Sequence, residues 1–239
     1  DGFTLADVYS YDRKHNEANG ENNRDGANYN LSWNCGVEGP TKRRKVVELR
    51  NLLMRNAITF VMCAQGIPLI YAGDEFGNSQ GGNNNAYCQD NDTGWVDWNA
   101  LNRNHRFYDF VRTMIDFRKH HACLHMADEA GLTDYKYYGL PDVSYHGVKA
   151  WYPELEHYSR QAGIMYCGQY AGDENNLYIA FNMHWEPHEL ALPNISGRSW
   201  QAVLTTGTEE LPDASQINEA RTVSVPARTI IILEDEKNS

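Results

Sequence analysis

The sequence has no apolar run long enough to span a bilayer. Its longest clean stretch, Ala57 to Ala64, has eight residues before Gln65, Gly66 and Pro68 interrupt it, well short of the roughly 20 that a membrane helix needs. Positive charge is also scarce. Lys and Arg total 21 against 32 for Asp and Glu, giving a net charge of -11 and a pI near 5.2, a poor match to a phosphate backbone, so neither nucleic acid nor membrane is expected as a partner. Cysteine is sparse and unpaired in pattern: Cys35, Cys63, Cys88, Cys123 and Cys167 lie at least 25 residues apart. That odd count predicts free thiols and a reducing, cytoplasmic setting. There is no G-x-S-x-G elbow, C-x-x-C pair or phosphate loop, which removes the serine hydrolase, zinc-ribbon and nucleotidase readings. No internal repeat is present. The chain begins at Asp1 without a basic-plus-apolar leader, as expected of a processed or excised polypeptide.

The 239 residues are 41% hydrophobic, 22% charged and 12% aromatic, a globular balance sufficient for one large domain or two ordinary ones. Asparagine is unevenly spread, with 17 of 23 in residues 1–105. Residues 12–40 and 73–99 have no helical or strand period and are rich in Asn, Gly and Asp. Loops of that length in a compact domain are usually functional or disordered, and Trp33, Trp95 and Trp98 favour order, because disordered segments are poor in aromatics.

Between the loops, Thr41 is placed to cap a helix over Lys42 to Ala64, amphipathic in its first half and buried on most sides in its second. Ile67 to Ala72, bounded by glycines, reads as a buried strand of a parallel sheet. A second helix is predicted from Arg103 to His121, where Phe107, Phe110, Val111, Met114 and Ile115 recur at helical spacing. After residue 140 the pattern changes to short runs: Val143 to His146, Ile164 to Cys167, Leu177 to Phe181, Glu189 to Leu192, Trp200 to Leu204, Thr222 to Val225 and Thr229 to Leu233. Turn residues separate them, which predicts an antiparallel sandwich or small barrel. The domain boundary is expected within residues 122–142.

Candidate metal ligands are weak. His184 and His188 have the spacing of a helical pair, but Pro187 breaks any helix there. His120, His121 and His125, with Cys123, read as capping and packing groups at a helix end. Lys42 to Lys45 reads as a solvated helix face. No metal and no cofactor is expected. The strongest chemical signal is Asp74 and Glu75 at the end of the apolar run, followed by Asn83, Asn84, Asn85, Tyr87, Gln89 and Asp90. A parallel strand that delivers carboxylates and a polar loop from its C-terminal end is how barrel enzymes build their sites. Amides and aromatics suit an uncharged polyhydroxylated ligand, since each hydroxyl both donates and accepts. The alternative is that these groups satisfy one another and knit the loop.

These residues also carry a resemblance. Asp1-Gly2-Phe3-Thr4-Leu5, Ser10-Tyr11, Lys14-His15-Asn16, Ala18-Asn19-Gly20-Glu21, Arg24-Asp25-Gly26 and Ser32-Trp33-Asn34-Cys35-Gly36 resemble the isoamylase-type glycogen debranching branch of glycoside hydrolase family 13, the α-amylase family. Arg55-Asn56, Gln65-Gly66-Ile67-Pro68, Gly73-Asp74-Glu75-Phe76-Gly77, the run Asn83 to Asn91 and Trp95-Val96-Asp97-Trp98 continue it. The match is dense to about residue 120. Beyond it, residues 123–239 resemble that family's C-terminal β-sandwich by position and pattern only.

The resemblance implies an α/β plus all-β architecture. Residues 1–122 would be the C-terminal segment of a (β/α)8 TIM barrel, after strand 7, and residues 123–239 an antiparallel β-sandwich domain. It implies an α-glucan polysaccharide or oligosaccharide as ligand. It places the family's third catalytic Asp on Asp1 and substrate contacts on Asn84, Asn85, Tyr87, Asp74 and Glu75. The family's Asp nucleophile and Glu acid/base would lie upstream, so this chain alone is expected to be inactive. Asp74 and Glu75 do not replace them, because adjacent residues on an extended backbone point to opposite sides. Cutting a barrel also leaves Ile67 to Ala72 without its neighbouring strands, a route to self-association through an open edge. A non-catalytic glucan-binding or accessory module is the competing class.

Overall fold

The computed structural model describes residues 2–238. They form two compact units: residues 2–58 with 68–115, and residues 59–67 with 116–238. The first is helical and loop-rich, the second is built on antiparallel sheet.

In the first unit, α1 (Leu5–Val8) is a single turn whose Thr4 hydroxyl accepts the Asp7 N–H at 3.2 Å. The long helix α2 (Arg44–Cys63) starts in this unit, with Leu53, Met54 and Ile58 buried. Thr41 does not cap it as the sequence predicts. Its hydroxyl accepts the Arg43 N–H at 3.2 Å, and Thr41 lies two residues ahead of the capping position, Arg43. From α2, the Arg50 guanidinium donates to the carbonyls of Gly39 at 2.8 Å, Asn34 at 2.9 Å and Val37, fastening residues 34–39 to the helix. A short helix α3 (Asn99–Arg103) leads into α4 (His105–His120), whose Phe107, Val111 and Met114 are buried.

Three expectations for this region fail. Ile67 to Ala72 is not a strand, and Ile67 and Leu69 are 98% and 83% exposed. A strand exists only through its ladder, and among the described residues no neighbour pairs with this segment. The second half of α2 is not buried on most sides either, because Phe60 and Val61 remain exposed. Asp74 and Glu75 sit in a single 3-10 turn, Asp74–Phe76, rather than on an extended strand end.

Among the described residues the second unit contains seven strands: β1 (Val143–His146), β2 (Gln161–Tyr166), β3 (Leu177–Asn182), β4 (His188–Ala191), β5 (Arg198–Thr205), β6 (Thr222–Val225) and β7 (Thr229–Lys237). Each overlaps a run read from the sequence. They form a five-stranded antiparallel sheet in the order β1-β2-β3-β7-β5 and a two-stranded ladder of β4 and β6. The ladder covers one face of the larger sheet. Leu190, Val223 and Val225 meet Met165, Tyr178, Ala180, Trp200, Ile231 and Leu233, with Ile217 of the short helix α5 (Ala214–Ala220) closing the core. This alternation of inward apolar side chains is the period-2 pattern that made the strands legible.

Polar ends of buried groups are satisfied locally. The Tyr178 hydroxyl donates to the Ala191 carbonyl at 2.9 Å and the Trp200 indole to the Pro193 carbonyl at 2.9 Å. Buried Asp235 receives Arg198 at 2.5 Å, the Asn176 amide side chain at 2.6 Å and its main-chain N–H at 2.7 Å. On the other face of the sheet lies the last turn of α2, where the Tyr166 hydroxyl donates to the Cys63 carbonyl at 3.0 Å and Phe60 meets Phe181 edge-on at 5.3 Å. Arg118 terminates that helix by donating to the carbonyls of Met62, Ala64 and Gly66 at 2.6 to 2.7 Å. His121 spans from the Phe117 carbonyl at 2.7 Å to the Glu234 carboxylate at 2.9 Å. No helix is long and apolar enough to cross a membrane, among the described residues.

Candidate functional site

The first unit holds a cleft of about 500 Å3 lined by Gly2, Phe3, Thr4, Tyr71, Gln80 and the loop Asn84 to Tyr87, with Gly94 at its margin. It is assembled around Asp7, a side chain that no part of the sequence reading selected. Asp7 is fully buried and accepts from the Ser79 hydroxyl at 2.5 Å and the N–H groups of Gln80 at 2.8 Å and Gly82 at 3.2 Å. Burial pushes its pKa up, and these hydrogen bonds pull against that rise. The result fixes residues 79–82 beside α1. Gln80 in turn donates its side-chain amide to the Tyr71 hydroxyl at 3.1 Å, setting one wall.

The opposite wall is an amide network. The Asn16 side chain donates to the Asn84 Oδ1 at 2.9 Å, while the Asn84 main-chain N–H donates to the Asn16 Oδ1 at 3.0 Å. The Asn84 amide also donates to the Ala27 carbonyl at 2.8 Å and the Asn30 Oδ1 at 2.6 Å. Asn19 binds the Asp25 carboxylate at 2.7 Å and the Asn85 carbonyl at 3.0 Å, and it accepts from Asn83 at 2.8 Å and Gln89 at 2.7 Å. Asn85 donates to Asp25 at 3.0 Å. Asp25 is held below the usual carboxylate range, first by its bond from Asn19 and also by that from Asn85. Two strips of buried and half-buried Asn and Asp thus lock together the long loops that lacked any period in sequence.

The sequence-predicted residues separate within this arrangement. Asn84, Asn85 and Tyr87 come together on the cleft. Asn84 is buried and its side-chain amide is committed to protein partners, whereas Tyr87 is 85% exposed. Asn85 lies between these extremes. Asp74 and Glu75 are not among the residues that line the cleft. The Asp74 carboxylate accepts the Leu5 N–H at 2.8 Å, and burial raises its pKa to about 6, with the neighbouring Glu75 adding to the rise. Glu75 accepts the Gly73 N–H at 2.9 Å. Asp1 lies outside the described residues. Asn16, Asn19 and Asp25 were named only within the motifs that carry the resemblance and given no role, although the excess of asparagine in both loops was a signal.

The histidine clusters do other work. His184 stacks on Trp185 at 4.0 Å and meets His188 edge-on at 4.6 Å. No group of three or more possible metal ligands occurs among the described residues.

Comparison with known proteins gives this geometry a context. Residues 144–231 match the family model described as "Isoamylase 1-3, C-terminal". The chain is 36% identical over 221 residues to chloroplastic isoamylase 1 of Oryza sativa subsp. japonica, covering 89% of the chain and 26% of that protein. It is 36% identical over 256 residues to the glycogen operon protein GlgX homolog of Mycobacterium bovis, covering 98% of the chain and 34% of that protein. Among solved structures, a pullulanase from Bacillus acidopullulyticus superposes with a TM-score of 0.62 at 21% identity, over 98% of this chain and 23% of that one. A pullulanase from Paenibacillus barengoltzii, solved in complex with maltohexaose and α-cyclodextrin, superposes with a TM-score of 0.58 at 20% identity, over 77% and 25% of the two chains. At these identities the structures speak to fold alone, a helical part followed by an antiparallel β domain. The chain spans about a quarter to a third of the length of these curated relatives. It belongs to the isoamylase and GlgX debranching-enzyme family, within which it corresponds to the C-terminal region.

Proposed function

We propose that this chain is the C-terminal portion of a glycoside hydrolase that cleaves α-1,6-glucosidic branch linkages of glycogen- or amylopectin-type glucans by a retaining mechanism. In this reading residues 1–122 complete a (β/α)8 barrel and residues 123–239 form its β-sandwich. The observation that carries it is the character of the cleft. Its described lining residues are amides, a hydroxyl, aromatics and small groups, without a single Lys, Arg, Asp or Glu. Such a surface stacks against sugar rings and exchanges hydrogen bonds with neutral hydroxyls, and it offers nothing to a phosphate or a cation.

The same composition limits what the chain does by itself. Retaining hydrolysis needs a nucleophile and an acid/base about 5 to 5.5 Å apart. The described cleft residues include no carboxylate pair, and the family resemblance assigns both roles to residues upstream of this sequence. Asp1 would then hold the sugar at the cleavage point and favour its oxocarbenium-like form. The test compares purified residues 1–239 with the complete parent on branched glucan. The chain alone should release no reducing sugar above a blank, because the missing groups act as a unit with what remains. Branch hydrolysis by the chain alone would overturn the assignment. A parent gene without an upstream Asp and Glu pair would favour the accessory-module reading.

A further inference from the structure

The β-rich unit carries a second concavity, of about 400 Å3, which shares no lining residue with the cleft. Tyr170 is its buried floor, Tyr135 and Lys136 form a wall, and exposed His125, Asp128 and Glu129 stand at its rim. The segment that shapes it has no regular structure, yet it is pinned at several points. The Asp134 carboxylate accepts the N–H groups of Tyr138 and Gly139 and the Tyr170 hydroxyl, all at 2.8 Å. Buried Asp142 accepts the N–H of Gly131 at 2.7 Å and of Val143 at 2.8 Å. Tyr135 and Tyr138 pack on Tyr170 with ring centroids 4.8 and 5.1 Å away. Leu132 and Tyr137 are held at φ of 55° and 60°, a region costly for bulky residues. Despite this fastening, Tyr135 remains 51% exposed. A fixed, half-exposed aromatic ring beside a polar hollow is a stacking surface prepared in advance.

The chemistry of the hollow selects among ligands. The Lys136 ammonium already lies 6.0 Å from the Tyr135 ring and 5.4 Å from the Tyr170 ring, and donates to the Tyr170 carbonyl at 3.2 Å. A second cation brought to these rings would be repelled by that ammonium, so the hollow disfavours an organic cation. Asp128 and Glu129 at the rim disfavour an anion. What remains is a neutral ligand with apolar ring faces and many hydroxyls, able to accept from the ammonium and donate to the carboxylates. We propose that this concavity is a second glucan-binding site, separate from the cleft at Asn85 and Tyr87, that holds the polymer to the β-rich unit. The choice of an α-linked glucan rests on the proposed function; the choice of a neutral sugar rests on the hollow alone.

The test is a titration of the full chain, with ring-13C-labelled tyrosine, by maltohexaose and by cellotetraose as an isomeric-linkage control. Tyr135 and Tyr87 signals are assigned from Tyr135→Phe and Tyr87→Phe variants, and circular dichroism checks that each variant folds. Maltohexaose should move the Tyr135 signal in a saturable way, and Tyr135→Ala should weaken binding there at least fivefold while Tyr135→Phe retains it. A Tyr135 signal that stays fixed at all maltohexaose concentrations overturns the proposal, whatever Tyr87 does. Movement at Tyr135 with none at Tyr87 supports this site and counts against the cleft as the glucan site. An equal response to cellotetraose would keep a sugar site and overturn its α-glucan assignment.

Discussion

Asn16 and Asn84, 68 positions apart, hold each other in both directions: a side-chain amide of Asn16 reaches Asn84 Oδ1 at 2.9 Å, and the main-chain N–H of Asn84 reaches Asn16 Oδ1 at 3.0 Å. Gly26 packs against this pair with φ of 70°, and a Cβ there would stand 2.3 Å from Asn84 Oδ1 and 2.7 Å from Asn16 Nδ2. The absence of a side chain at Gly26 is what lets the two loops close.

Asn84 is therefore predicted to matter first for stability. Asn84→Ala removes the bonds to the Ala27 carbonyl and Asn30 Oδ1 and one of the acceptors of the buried Asn16 amide, which keeps the Asp25 carbonyl at 3.0 Å, a loss of about 1 to 3 kcal/mol. Gly26→Ala should be at least as damaging, since it adds both the clash and a left-handed backbone penalty. Tyr87→Ala, at an 85% exposed position, should change stability by no more than about 0.5 kcal/mol. Urea unfolding of the three variants measures the order. Equal stability of Asn84→Ala and the parent chain would mean that the network contributes nothing net.

Tyr87 and Asn85 are predicted to act on substrate instead. In the complete parent enzyme, Tyr87→Ala and Asn85→Ala should lower kcat/KM for branched glucan by about three- to thirtyfold each, the range of one lost stacking or hydrogen-bonding contact. Unfolding midpoints should stay near that of the wild type for Tyr87→Ala. Steady-state kinetics on the two variants decides, and unchanged kcat/KM in both would remove them from the site. Asp1→Asn in the same enzyme should reduce turnover about a thousandfold, the scale of a lost transition-state stabiliser.

Much of the β-rich unit was legible because its strands satisfy their local pattern. Residues such as Leu190, Val223, Val225, Ile231 and Leu233 alternate inward from runs bounded by Pro and Gly, so period and punctuation alone located them. Helix α5 escaped notice because its seven residues bury little beyond Ile217; the cap at Asp213, which accepts from Ser215 at 2.9 Å and Gln216 at 3.2 Å, was its only signal. Ile67 to Ala72 misled for the opposite reason. Its composition is that of a buried strand, but strand formation depends on a partner, and none of the described residues supplies one. The cleft was half legible. The loop Asn83 to Tyr87 announced itself by composition, whereas the contribution of Asp7 depends on N–H groups more than 70 positions away, which no local pattern encodes.

Glu38 gives the first unit an acid-sensitive joint. Its carboxylate accepts the N–H groups of Asp12 at 2.9 Å and Arg13 at 3.2 Å and the Asn34 amide at 2.9 Å, and pairs with His15 at 3.1 Å. Burial would raise its pKa, but these bonds prevail and hold it at about 2, against an ordinary value of 4.5. A folded pKa below the unfolded one means that the stabilisation is fully present above pH 4.5 and is lost as pH falls towards 2. Glu38→Gln should therefore lower stability at neutral pH by about 1 kcal/mol, after allowing for solvent screening at this partly exposed site. It should also flatten the acid limb between those two pH values. Thermal unfolding across pH, wild type against variant, reads both effects, and parallel acid limbs would refute the role given to Glu38.

The last prediction concerns the unpaired segment Ile67 to Ala72. Ile67, Leu69 and Tyr71, at alternate positions, are 98%, 83% and 51% exposed, and among the described residues their main chain belongs to no strand ladder. An extended apolar stretch with open N–H and C=O groups is a template for pairing with another chain. Burying Ile67 and Leu69 against a second copy would recover about 1.5 to 3 kcal/mol for each side chain, which together with main-chain ladder bonds favours association at high protein concentration, on the order of a millimolar. The isolated chain should therefore self-associate in a concentration-dependent way, and Ile67→Lys with Leu69→Lys should return it to a monomer, since charged side chains on an open edge oppose pairing. Neither position is buried, so the double variant should fold as the parent chain does. Light scattering over a dilution series, with mass spectrometry of the same samples to detect any retained partner polypeptide, makes the comparison. A wild-type chain that stays monomeric throughout, without dye-binding apolar surface, would show that this segment is covered in solution by the chain's own residues.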